Sequence, residues 1–210
     1  MKKIILLAGF IAALSTAHGI TIGFENLAEL TAIQNTYAGV NFGNATILTA
    51  GSSLNELDFP PKSGVNAVFD DSGPIIGTFS TPVASLSAYF TYSYQLTFTG
   101  FDANGNQVAS VLSAHNSNIG SSTYNPNEYL KLDVATGIAS FKITGAESGS
   151  SFTLDDFSFA PITSVPTCVP DTASHMTEAS LLAFVTIHMW ITRRAKKRGH
   201  VRLGNNCQES

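Results

Sequence analysis

The chain has 210 residues, a formal net charge of −4 and only 12% charged residues. That charge conceals an asymmetry: between residues 20 and 160, three lysines (Lys62, Lys131 and Lys142) face twelve carboxylates, leaving −9 and no arginine. Such a surface repels phosphate backbones and excludes nucleic acid as a partner, while it suits hard cations that take oxygen ligands.

The chain opens with Met1-Lys2-Lys3, an apolar run from Ile4 to Leu14, and the small residues Ser15-Thr16-Ala17-His18-Gly19. This layout predicts a leader over residues 1–19, removed by signal peptidase after Ala17 or Gly19. The apolar run is 11 residues long, short of the ~20 that a spanning helix needs.

Residues 20–160 form one predicted domain, a size that supports a sizeable core. A short helix is expected near its start: Asn26 can cap it, Glu29 is the reciprocal partner, and Leu27, Leu30 and Ile33 form an apolar side. Strands are predicted at Ile20–Phe24, Val40–Phe42, Ala45–Leu48, Val65–Phe69, Ile75–Phe79, Val83–Phe90, Gln95–Phe101, Val108–Ala114, Tyr129–Val134, Ile138–Ile143 and Phe152–Phe159. These runs are rich in β-branched and aromatic residues and are punctuated by Gly, Asn, Ser and Pro. Many short strands at this spacing give an all-β class, a two-sheet sandwich or jelly roll. Asp102-Ala103-Asn104-Gly105-Asn106 begins like a calcium loop, but Gln107 and Ser113 occupy the positions of the required Gly and Glu. A hairpin turn built on Asn-Gly is the expectation.

In the last strand, Phe152 and Leu154 are out of phase with Phe157 and Phe159. Keeping all four in the core requires a bulge at Asp155-Asp156. His115 is the single histidine of the domain, no Gly-x-Ser-x-Gly elbow exists, and neighbouring acids such as Asp70 and Asp71 face opposite ways on a strand. No catalytic set emerges, although a hydrolase acting on extracellular polysaccharide remains the competing class. Tyr89, Tyr92, Tyr94, Tyr124 and Tyr129 can stack on sugar rings or serve as ordinary strand residues.

Residues 161–177 form a Pro/Ser/Thr linker with Pro161, Pro166 and Pro170. An apolar stretch over 178–192 and the cluster Arg193, Arg194, Lys196, Lys197 and Arg198 follow. This order predicts a single transmembrane helix whose basic tail, 193–210, stays in the cytoplasm. The two cysteines, Cys168 and Cys207, would then lie on opposite sides of the membrane, and the domain itself has none.

Val169-Pro170-Asp171-Thr172-Ala173, the hydrophobic stretch and the basic cluster together resemble the Val-Pro-Asp-Ser-Gly variant of the PEP-CTERM sorting signals. Here Ala173 replaces the usual Gly, and residues 199–210 run on past the cluster. The resemblance implies export, tethering in the inner membrane and processing by an exosortase-like enzyme, with a final place at the cell surface or outside it.

The domain is similar to carbohydrate-binding-module-like β-sandwiches, through Ile22-Gly23-Phe24-Glu25, Tyr37-Ala38-Gly39-Val40-Asn41-Phe42, Ser63-Gly64-Val65-Asn66-Ala67-Val68, Phe101-Asp102-Ala103-Asn104-Gly105 and Phe152-Thr153-Leu154-Asp155-Asp156-Phe157. That likeness implies a jelly roll with a structural calcium beside the first and last strands and a polysaccharide partner. A carboxylate turned toward an apolar core needs a partner, so calcium held by Glu25, Asp155 and Asn66 is one expectation. Solvated acids at a strand end are the other.

Overall fold

A computed structural model describes residues 18–162. The predicted leader apart from His18 and Gly19, the linker beyond Ile162, the sorting motif, the predicted membrane helix and the basic tail lie outside the described residues. Nine strands follow in order: β1 (Ile20–Ile22), β2 (Val40–Gly43), β3 (Ala45–Thr49), β4 (Asn66–Asp70), β5 (Ile75–Tyr92), β6 (Thr97–Phe101), β7 (Gln107–Leu112), β8 (Glu128–Thr144) and β9 (Phe152–Pro161). All pairings are antiparallel, along the path β3-β4-β9-β5-β8-β6-β7, with β1 on β9 and β2 on β5.

This path doubles over on itself. The first part of β5 (75–79) pairs with β2 and with the end of β8, whereas its second part (83–92) pairs with β9 and the start of β8. The register slips between Thr78 and Val83, where β5 passes from one layer to the other. Aromatic rings from the two layers meet between them: Phe42 of β2 lies 5.2 Å from Phe157 of β9, and Phe90 of β5 lies 5.6 Å from Phe98 of β6. The result is a β-sandwich with a phenylalanine-rich core.

Two expectations need correction. Four predicted strands are halves of two long ones, β5 and β8. Pro82 and Gly137 look like chain reversals in sequence, but they mark bends in continuing strands. Gly137 takes φ +103 at that bend, a conformation open to glycine.

The predicted helix at Asn26–Ile33 is also absent, and no helix occurs among the described residues. This segment runs along β3 instead: the Leu30 and Ile33 amides donate to the carbonyls of Ile47 and Ala45, and the Ile47 amide donates to Thr31. Leu30 (φ +58) and Gln34 (φ +44) break the helical path, Ile33 enters the core and Leu30 stays exposed. Long-range pairing to a strand edge outweighs a weak local capping signal.

The bulge in β9 is present. Asp156 takes φ +49 and the register against β5 slips between Ser87 and Tyr89, so Phe152, Leu154, Phe157 and Phe159 are all buried. The β6–β7 hairpin turns on Gly105 (φ +81), and Asp102 accepts the amides of Asn104 and Asn106.

Candidate functional site

At the bulge Asp155 is 1% exposed, held against the backbone of residues 62 and 63. Its Oδ2 accepts the amides of Lys62 and Ser63, both at 2.8 Å, and Oδ1 accepts that of Asp156 at 2.7 Å. Asp156 in turn accepts the Ser63 hydroxyl. Glu25, exposed beside β1, accepts the amides of Val65 and Asn66 on its two oxygens. Asn66 takes the Thr49 hydroxyl on Oδ1 and donates to the carbonyls of Phe24 and Leu27.

The three predicted calcium ligands therefore gather around one segment, 62–66, where their oxygens already accept hydrogen bonds. Every carboxylate oxygen of Glu25 and Asp155 already faces a backbone N–H, and the Asn66 oxygen faces a hydroxyl. The Asp155 carboxylate has three backbone amides as partners. We expect calcium addition, or chelator, to leave the melting temperature of the chain unmoved; a calcium-dependent rise would show that the carboxylates rearrange around an ion.

Burial lifts the Asp155 carboxyl to about 6, against the pull of the amides of Ser63 and Asp156. Asp70 is a second internal clamp, with its pKa also raised by burial. It accepts the amides of Ser151 and Phe152 and the Ser151 hydroxyl, tying β4 to the start of β9.

The segment that Asp155 holds borders a patch of tyrosines. Tyr89 of β5 and Tyr129 of β8 are direct cross-strand neighbours with ring centroids 5.2 Å apart. The Lys62 ammonium lies 4.4 Å from the Tyr89 ring centroid, a cation–π contact. Tyr129 is 51% exposed, and Lys131, two residues on along β8, is paired with Asp133 at 2.8 Å. Two of the domain's three lysines thus flank the tyrosine pair. Tyr92, a stacking candidate from sequence, is instead a core residue: it is fully buried, its hydroxyl donates to Glu128, and burial pushes its pKa up to about 12. Tyr94 is exposed just beyond β5.

Tyr124 lies in the long connection between β7 and β8, stacked on His115 with ring centroids 3.5 Å apart and planes 8° from parallel. Nothing in the sequence between His115 and Tyr124 announces that pairing, because it depends on how the connection is pinned. Asn118 is the main pin. It is fully buried, accepts the Tyr92 amide and donates to the Phe90 carbonyl. An Asn surrounded by other polar residues gave no signal of burial.

No family model matches the chain, and no curated protein does. Its likeness is to β-rich domains in solved structures. A DUF4465 family protein from Bacteroides caccae ATCC 43185 is 17% identical with a TM-score of 0.46, covering 68% of this chain and 98% of that one. The K1 cleaved adhesin domain of Lys-gingipain from Porphyromonas gingivalis W83 is 10% identical with a TM-score of 0.44, covering 69% and 98%. The CBM22-1 xylan-binding domain from Paenibacillus barcinonensis Xyn10C is 14% identical with a TM-score of 0.38, covering 73% and 100%. At these identities and scores no ligand, activity or partner passes from those domains to this chain.

Proposed function

We propose that this chain is a non-catalytic, glycan-binding surface protein whose β-sandwich presents the Tyr89–Tyr129 pair to extracellular polysaccharide. The observation that carries the proposal is the half-exposed Tyr129 ring on a sheet, braced by Tyr89, whose own ring lies under Lys62. A sugar ring offers a flat C–H face that packs on such a ring and hydroxyls that bond to polar groups at its rim. A rigid strand pair holds the aromatic surface ready, which limits the ordering cost of binding. Export rests on the leader at residues 1–19, and display rests on the sorting motif, apolar stretch and basic cluster of the tail. Signal peptidase and an exosortase-like enzyme are its processing partners. Glu25 and Asp155 act as loop anchors in this reading, with no part in bond cleavage.

Affinity electrophoresis in gels containing xylan, mixed-linkage β-glucan or alginate tests it. At least one polysaccharide is expected to retard the protein, and Tyr129→Ala is expected to weaken that retardation about tenfold, a loss of ~1.4 kcal/mol. No reducing ends should appear on long incubation. Unretarded migration in all three gels, or retardation that Tyr129→Ala leaves intact, would remove the tyrosine face from consideration.

A further inference from the structure

The connection from Ser113 to Asn127 spans 15 residues between β7 and β8 with no strand or helix of its own. Irregular segments of that length inside a compact domain are uncommon and usually have a task. This one is held at many points. Besides Asn118, Ser113 accepts the Leu96 amide, Gly120 and Ser121 donate to the Asp58 carbonyl and carboxylate, and Asn127 donates to Thr91 and Pro60. Glu128 closes it, accepting the Ala114 amide on one oxygen and the Tyr92 hydroxyl on the other.

What these anchors hold up is the His115–Tyr124 stack, with Tyr124 48% exposed. Two depressions border the rings, one of about 490 Å³ lined also by Asn116, Ser121 and Thr123, and one of about 380 Å³ lined also by Asn125, Asn127 and Glu128. Both volumes fall in the range of small-molecule sites. The side chains of Asn116 and Thr123 make no hydrogen bond to other described residues, so their donors and acceptors are available to a ligand.

We propose that this ring pair and its larger depression form a second binding site, which takes one neutral sugar residue. The charge pattern selects the ligand class. Residues 113–127 contain no lysine, arginine or carboxylate, so an anion finds no counter-charge. A cation finds only Glu128 and Asp58, whose oxygens are already engaged. What remains is an aromatic wall beside neutral amide and hydroxyl groups, which suits a polyhydroxylated ring. The site shares no residue with the Tyr89–Tyr129 face and does not depend on it.

The test is amide NMR on the isotope-labelled full chain, titrated separately with the methyl glycosides of glucose, galactose, mannose and N-acetylglucosamine. With at least one glycoside, saturable shifts are expected at Asn116, Thr123 and Tyr124, with millimolar affinity as befits a single ring. Tyr124→Ala should abolish them. Asn116→Ala should weaken them severalfold without moving the core signals, and Tyr129→Ala should leave them unchanged. Absence of shifts in this segment with all four glycosides overturns the proposal, as do shifts that survive Tyr124→Ala. Shifts confined to Tyr89 and Tyr129 overturn it too, while leaving the first reading in place.

Discussion

Asp155→Ala is expected to destabilise the folded chain by roughly 3–5 kcal/mol, measured by denaturant unfolding at neutral pH. The substitution strips the acceptor from three amides at once, those of Lys62, Ser63 and Asp156, where the Asp155 side chain itself is buried. Asp155→Asn keeps one carbonyl and should cost less. The pH dependence follows from the raised carboxyl. Its folded value of about 6 stands above the ordinary 3.8, so the folded state holds a proton more tightly than the unfolded one. This group's contribution to stability is therefore least above pH 6 and grows as pH falls toward 3.8, by on the order of 3 kcal/mol. Asp70, also raised, tilts the profile in the same sense. Asp155→Asn should flatten the profile between pH 7 and 4 and leave the Asp70 part. Identical slopes for wild type and Asp155→Asn would disprove the assignment. Because the segment that Asp155 clamps also carries Lys62 over Tyr89, hydrogen exchange at residues 62–65 should quicken in the alanine variant before the core opens.

Phe141→Ala should cost about as much, near 3–5 kcal/mol, for a different reason. Phe141 of β8 touches rings from both layers: Phe42, Phe79, Phe98 and Phe157 all lie within 6.0 Å of its centroid. Its register partner on β5 is Gly77, and a Cβ there would approach the Phe141 ring to 2.2 Å. The ring fills the space that the glycine leaves open. Removing it opens a cavity whose walls belong to two layers and cannot close together. Gly77→Ala attacks the same arrangement by overpacking, and the double variant Gly77→Ala/Phe141→Leu should recover part of each loss. Calorimetric melting of the four proteins measures that coupling; strict additivity would mean that the two positions do not share a space.

Some of this architecture could be read directly from residue order. The predicted runs Val83–Phe90 and Ile138–Ile143 lie within β5 and β8 with Leu86, Ala88, Phe90, Phe141 and Ile143 buried at alternate positions, because a strand's side chains alternate whatever it pairs with. The phase break in β9 required a bulge for the same reason, and the bulge placed Asp155 where it needed a partner. The identity of that partner was not legible. A carboxylate accepts an amide or a metal equally well in principle, and the choice depends on which backbone passes by. The amides of Lys62 and Ser63 come from more than ninety positions earlier in the chain. Of its two readings Tyr92 takes that of a strand residue, because tyrosine suits a core as well as a wet rim, given a partner for its hydroxyl. Glu128 supplied that partner from another strand.

The amino-acid order alone determined the all-β class, the strand faces and the acidic surface, because these follow from side-chain period and charge, which act locally. Tertiary pairing decided that two pairs of predicted strands run on as β5 and β8, and that Asn26–Ile33 lies along β3 in place of a helix. It also chose which tyrosines reach water and set His115 on Tyr124. Each of these outcomes depends on contacts between distant segments, whose energies exceed the few tenths of a kcal/mol that local preference contributes per residue.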